Sequence, residues 1–258
     1  MRYIPINIKQ QVRYLLSCKK TKPSGISINF SKQHNQMPNK ALYMYLSLTI
    51  VAILTLACLQ MAFILPEGLL GAGNSIAERN EFIQNNLGLW RLGWFNWMLA
   101  ALGLLTFCTM LLPFIPKSEW RVLGILLVAL GIVPDIGAEV IFAFVIPHSH
   151  TIDPTLATMQ TLELIAVQLT GTLGNGLYNI GGLLLNVLLL NNQRLPRKLI
   201  LMGIPGWFFG FVLSIACAMQ ALDTAKFFTA TGMVWSTAWM FALTIKVFPR
   251  ANQLKVDY

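Results

Sequence analysis

Six stretches of the chain read as nearly unbroken apolar runs: 42–65, 94–115, 122–146, 157–190, 199–220 and 227–248. A helix rises 1.5 Å per residue, so about 20 apolar residues cross ~30 Å of hydrocarbon. Each run meets that length, which predicts an all-α polytopic membrane protein, a bundle of six transmembrane helices. The ends of the runs carry charge or proline: Lys40, Pro66, Arg91, Pro116, Arg121, Pro147, Arg197, Lys198, Lys226 and Pro249. Such residues end helices or anchor them at the interface. Trp90, Trp94, Trp120 and Trp207 are expected in the aromatic belts. The fourth run is the longest, and Gly171-Thr172-Leu173-Gly174-Asn175-Gly176 interrupts it. One long crossing, kinked at these glycines, is expected there.

Between the first two runs the pattern changes. Ser75-Ile76-Ala77-Glu78 has capping-box spacing, and Ile76, Ile83 and Leu87 then share a helical face. A helix over 75–87, closed by Gly88, is predicted to lie on the outer surface.

Composition agrees with lipid as the solvent: 55% of the residues are hydrophobic and only 11% charged, where a soluble domain carries about 25%. The net charge of +9 looks at first like a nucleic-acid signal. Its position excludes that reading. Arg2, Lys9, Arg13, Lys19, Lys20, Lys22, Lys32 and Lys40 all lie in 1–41 with no acid among them, and no nucleic-acid-binding module accompanies them.

The remaining Lys and Arg are segregated. Connections 116–121, 191–198 and 246–258 hold Lys117, Arg121, Arg194, Arg197, Lys198, Lys246, Arg250 and Lys255. Connections 66–93, 147–156 and 221–226 hold only Arg79, Arg91 and Lys226. Positive connections face the cytoplasm, so both termini are expected inside, in the inner (plasma) membrane. On this layout 1–41 is a disordered basic tail beside anionic lipid headgroups, and 249–258 is a second cytoplasmic tail. Met37 offers an alternative translation start. The four cysteines, Cys18, Cys58, Cys108 and Cys217, show no paired spacing, and no disulfide framework is expected.

Chemistry is sought where a membrane helix accepts a cost. A charge at mid-bilayer costs about 2.5–3.5 kcal/mol, yet Asp135, Glu139 and Glu163 lie inside predicted spans. Asp135 and Glu139 are one helical turn apart, about 16 and 10 Å from the outer end of their span. Gly124 and Gly131 extend the same face, and Pro134 adds a kink. The fourth run carries Gln160, Glu163, Val167, Gly171, Gly174, Tyr178, Gly182 and Asn186 at helical spacing, a stripe suited to close contact and interhelical hydrogen bonds. Arg91, at the outer mouth of the second helix with Asn96 deeper, is the nearest obvious cation for these acids on this layout. The expectation is a polar pocket in the outer half of the bundle, lined by Arg91, Asn96, Asp135, Glu139, Glu163 and Tyr178. The competing expectation is that the acids are protonated and only bond helix to helix.

His148, His150 and Asp153 are weak metal candidates in an outer connection, and no metal or cofactor is expected. Gly203, Gly206 and Gly210 read as packing, and Trp235 and Trp239 as core. Gly88–Gly93 resembles Gly176–Gly181, which raises an internal repeat of helices two and three as four and five. No nucleophile elbow, Walker A, zinc-protease or dinucleotide motif is present.

The run Leu89-Trp90-Arg91-Leu92-Gly93-Trp94, the acidic third helix and Gly174-Asn175-Gly176-Leu177-Tyr178 together resemble uncharacterised bacterial multi-helix integral membrane proteins, known as domains of unknown function. The resemblance covers 42–248 at the level of layout and implies no substrate. Three function classes stay open. The foremost is small-molecule or lipid binding or transport, followed by a non-catalytic assembly or sensor subunit. The third is a membrane enzyme acting on a lipid or isoprenoid with carboxylates as acid and base. Expected partners are the bilayer, a small-molecule or lipid ligand, and a second copy or partner subunit.

The charge pattern makes a direct prediction. Reporter fusions after Gly73 and after Gln193 should report opposite sides of the membrane, the first outside and the second in the cytoplasm. A common side would overturn the layout.

Overall fold

The computed structural model describes residues 40–70, 73–193 and 195–250, and every regular element among them is helical. The expectations for the 1–39 tail, Met37, Cys18, Arg194 and 251–258 lie outside the described residues. The elements are α1 (Lys40–Phe63), α2 (Ile76–Asn85), α3 (Leu87–Leu111), α4 (Glu119–Val140), α5 (Ile146–Ile152), α6 (Ala157–Val167), α7 (Asn175–Leu189), α8 (Arg197–Leu201), α9 (Gly203–Ala218) and α10 (Leu222–Lys246). Two π-helical segments join consecutive helices. Ile141–Val145 links α4 to α5, and Gln168–Gly174 links α6 to α7.

Four helical runs are long and apolar enough to cross a membrane: Ala41–Phe63, Leu87–Phe114, Glu119–Ile152 and Arg197–Ala218. That fits a membrane-embedded, multi-pass protein. The runs 157–189 and 222–246 are as long but more polar, diluted by Asn175, Asn179 and Asn186 in the first and by five threonines in the second. The outward surface carries the apolar side chains a lipid solvent demands. Leu123, Leu126, Leu130 and Val133 on α4 and Phe227, Val234, Phe241 and Ile245 on α10 are all exposed, while Asp135, Glu139, Glu163, Asn96, Asn179 and Asn186 are buried.

The six long runs follow one another round a ring. α1 packs on α3, α3 on α4, α4 on α7, α7 on α9, α9 on α10, and α10 returns to α1. Polar pins fix neighbours. Ser47 bonds Thr244 between α1 and α10. Asn186 Nδ2 donates to the Ile200 carbonyl at 3.0 Å, and Trp239 Nε1 to that of Leu199 at 2.9 Å. One end of the ring is closed by α2 with α5. The other is closed by Phe248, which packs on Tyr43, Phe107 and Phe114. Lys117, Arg121, Arg197, Lys198 and Lys246 belong to the Phe248 end, and Arg79, Arg91 and Lys226 to the α2 end.

The tightest contact is α4 against α7. Gly124 and Gly131 face Gly181 and Gly174, so the two backbones touch. A methyl at Gly131 would stand 2.7 Å from the Gly174 carbonyl oxygen and the Tyr178 amide nitrogen, and one at Gly181 would stand 2.6 Å from the Gly124 carbonyl oxygen. Small residues replace the missing hydrophobic drive between helices in lipid by allowing this approach.

Several boundaries differ from the sequence expectations. The third helical run does not stop at Pro147 but continues to Ile152. The π segment widens the helix just before the proline, which then sits in the first turn of α5, where its missing N–H is not needed. Gly88 does not close α2. Asn86 caps it, and α3 starts at Leu87. The capping box is present, with Ser75 Oγ accepting from Glu78 N and Glu78 Oε2 accepting from Ser75 N at 2.7 Å. The Ser75 N–H holds the Glu78 carboxyl below its ordinary value.

Trp90, Trp94 and Trp207 are core residues, not belt residues; only Trp120 of the four is exposed. Glycines make the room: the Trp90 ring covers Gly68 and the Trp207 ring covers Gly182. Trp239 is buried as expected, but Trp235 is exposed and donates Nε1 to the Met202 carbonyl. The two resembling hexapeptides occupy unequal places. Gly88–Gly93 opens α3, whereas Gly176–Gly181 follows a π segment in mid-run. They are not structural equivalents.

Backbone contact cannot be relieved by a side chain turning away. Gly131→Leu and Gly181→Leu should each cost at least the ~1–3 kcal/mol of overpacking. The expected readout is a lower Tm and aggregation on size-exclusion chromatography in detergent. Gly137→Ala, with no neighbour within 4 Å of the added methyl, should leave both unchanged.

Candidate functional site

Three acids lie inside the bundle: Asp135 is 6% exposed, Glu139 2% and Glu163 1%. Buried charge at this level demands a partner or a neutralising ion, and the three meet that demand in two different ways.

Asp135 and Glu139 stack on α4, in the stretch that Gly131 and Gly174 bring closest to the 157–189 run. Gly174 and Thr170 both belong to the second π segment. Thr170 donates its hydroxyl to Asp135 Oδ1. Tyr178, one turn beyond Gly174, lies within electrostatic reach of Asp135, Glu139 and Cys217. The π geometry is held by side chains. Asn175 Nδ2 donates to the Thr170 carbonyl at 2.9 Å, Thr172 Oγ1 to Gln168 Oε1 at 2.6 Å, and Ser214 Oγ of α9 to the Thr172 carbonyl. Gln168 Nε2 reaches the Cys217 carbonyl at 3.3 Å. The π segment is thus clamped between α4 and α9 and presents Thr170 to Asp135. Such segments recur at functional sites because they misalign a helix ladder and cost stability. Glu139 Oε2 is buried and has no hydrogen-bond partner among the described residues.

Glu163, on α6, is ion-paired with Arg79 of α2, itself 3% exposed. Here the structure departs from the sequence reading: the cation facing a buried acid is Arg79, not Arg91. α2 lies on the surface with one face, Arg79 and Ile83, buried against the bundle. The signal was present: Ile76, Arg79 and Ile83 fall at i, i+3 and i+7, so the arginine sits on the apolar face. Second atoms on each partner, Arg79 Nε and Glu163 Oε2, stay unbonded.

The remaining expected residues are dispersed. Arg91 lies over the Phe144 ring at 5.7 Å and 3.5 Å from His148 Nε2. Asn96 turns to α1, donating to Gln60 Oε1 at 3.0 Å. Of the six predicted pocket residues, Asp135, Glu139 and Tyr178 come together, while Glu163, Arg91 and Asn96 have other partners. Thr170 was missed by sequence reasoning. It lies seven residues after Glu163, on the same helical stripe, which is the signal that would have found it.

The weak metal candidates do not converge, and among the described residues no three His, Cys, Asp or Glu side chains do. His150 Nδ1 contacts Gln84 Nε2 and the Pro147 carbonyl oxygen, each at 3.0 Å. Asp153 caps α6 through Thr155 and Thr158. The Thr155 hydroxyl and these two backbone amides pull its carboxyl down to about 2. The described cysteines Cys58, Cys108 and Cys217 are free thiols.

No protein-family model, no curated protein and no solved structure matches this chain. The likeness of 89–94 and 174–178 to uncharacterised membrane proteins therefore rests on those residues alone.

The Arg79–Glu163 pair makes a distinguishable prediction. Arg79→Ala would strand a buried carboxylate and should cost about 3–5 kcal/mol, read as a large fall in Tm in detergent. Arg79→Met combined with Glu163→Gln removes both charges and should recover most of that loss. A double variant as unstable as the single one would show that the pair is not what holds α2.

Proposed function

We propose that this chain is a six-span inner-membrane protein with both termini in the cytoplasm, and that it binds or transports a small molecule or lipid by exchanging protons or cations on the Asp135–Glu139 pair. The orientation is supported by the segregation of Lys and Arg and by the gathering of Lys117, Arg121, Arg197, Lys198 and Lys246 at the Phe248 end. That end would face the cytoplasm and α2 the outside. The polar helices 157–189 and 222–246 would cross the membrane as members of the ring, shielded by their neighbours.

The observation that carries the functional reading is the contrast between the acids. Glu163 has a buried arginine of its own. Asp135 and Glu139, one turn apart, have no ion pair among the described residues. A carboxylate that only braces helices is best served by a fixed partner. Two without one are neutral only while they hold protons or a cation, and giving up that ion changes the charge of the bundle interior. Coupling of this kind is the work that intramembrane carboxylates perform in transporters. The assembly reading is favoured less, because the glycine faces are consumed within the chain itself.

The test is purification of the full chain in native-lipid nanodiscs, followed by mass spectrometry of co-purifying molecules at pH 6 and pH 8. A stoichiometric small molecule or lipid is expected, its occupancy changing with pH in the natural protein and independent of pH in Asp135→Asn. Identical, pH-independent contents in both proteins would overturn the reading.

A further inference from the structure

We propose that Asp135, Glu139 and Thr170 form a binding site for one monovalent alkali cation, sodium, which shares the site with a proton. The inference rests on the exchange reading above and names its ion.

The donor set is the first argument. Asp135 presents a carboxylate, Thr170 a hydroxyl that already reaches it, and Glu139 a second carboxylate within its electrostatic reach. All are hard oxygen donors, which suit alkali and alkaline-earth cations and not soft or imidazole-seeking metals. The second argument is independent of the acids being clustered. Glu139 Oε2 is enclosed, bonded to nothing among the described residues, and belongs to a residue 2% exposed. A buried acceptor left empty costs about 1–3 kcal/mol, more when charged, and a cation at this atom would remove that cost.

Charge selects among the cations. The elements packed against this part of α4 are α3, the first π segment, α6, the second π segment and α7. Their charged groups are Arg91, directed at His148, and Glu163, held by Arg79. Among the described residues no protein cation therefore neutralises the pair. A divalent ion would balance two carboxylates, but calcium takes six to eight oxygens and magnesium keeps several waters in near-octahedral geometry. Two carboxylates and one hydroxyl in a closed interface, with no third acid among the described residues, fall short of either. One sodium ion with one protonated carboxyl gives the same neutrality, and a monovalent ion sheds its water at far less cost than a divalent one. The π segment matters here as well: Asn175 and Ser214 already occupy the Thr170 and Thr172 carbonyls, so the Thr170 hydroxyl is left to the Asp135 side. Sodium and protons then compete for one pair of acids, which converts a gradient of either into a change of occupancy.

The test is equilibrium binding of radioactive sodium to the purified full chain in nanodiscs, with choline replacing sodium at constant ionic strength. One saturable site per chain is expected, weakened at least tenfold between pH 8 and pH 6. Asp135→Asn and Thr170→Val should abolish it, and Thr170→Ser, which keeps the hydroxyl, should retain it. Thr170→Ser also guards against a mere folding defect in the valine variant. Absence of saturable binding, or binding unchanged in Asp135→Asn, overturns the inference. If sodium fails to bind while Asp135→Asn still removes the pH dependence of co-purifying ligand, the sodium site falls and the exchange reading survives on protons alone.

Discussion

The contact on which the rest of this structure depends is the backbone-to-backbone approach of α4 and α7. Helices in lipid gain nothing from hiding apolar surface from water, so their association depends on how closely they fit. Gly124, Gly131, Gly174 and Gly181 remove side chains from both sides of one interface, and the distance lost there is what brings a hydroxyl on the neighbouring run to a carboxylate on α4. The same approach lifts Tyr178 into the field of both acids. A larger interface residue would part the helices and dissolve the polar cluster without touching any of its members.

The π segments express the same economy. Each lies where a regular helix would conflict with its surroundings: one just before Pro147, the other where Gly171 and Gly174 press against Cys217 and Gly131. A π turn frees carbonyls and shifts side-chain register. In the longer segment the freed groups are satisfied by Asn175 and Ser214, so the distortion is fixed instead of fluid. Within it, Thr170 is aligned with Asp135.

Electrostatically the bundle holds two opposite solutions to buried charge. At the α2 end, Glu163 is matched by an arginine carried on a separate short helix, so neutrality is built into the fold and α2 is bound to the bundle by it. On α4, the acid pair has no ion-pair partner among the described residues. The first arrangement compensates its buried charge within the fold, whereas the second does not. Their separation into different interfaces keeps Arg79 from occupying the pair.

Much of the architecture was legible in the residue pattern, because long apolar runs in a chain this poor in charge can only be membrane-type helices. The capping box at Ser75, the interruption near 171–176 and the α4 glycine face followed from local chemistry. So did the two acids on one face, since helical periodicity alone stacks positions 135 and 139. Which cation meets which acid was decided by tertiary structure. Arg91 is nearer than Arg79 in sequence to all three acids, but α2 delivers Arg79 to Glu163, while Arg91 turns toward His148. The tryptophans behaved likewise: composition places them at interfaces, yet Gly68 and Gly182 open slots that draw Trp90 and Trp207 inside. A sequence prescribes periodicity along each helix, whereas the angle at which helices meet, and hence the partner each face acquires, emerges only when all six runs close into a ring.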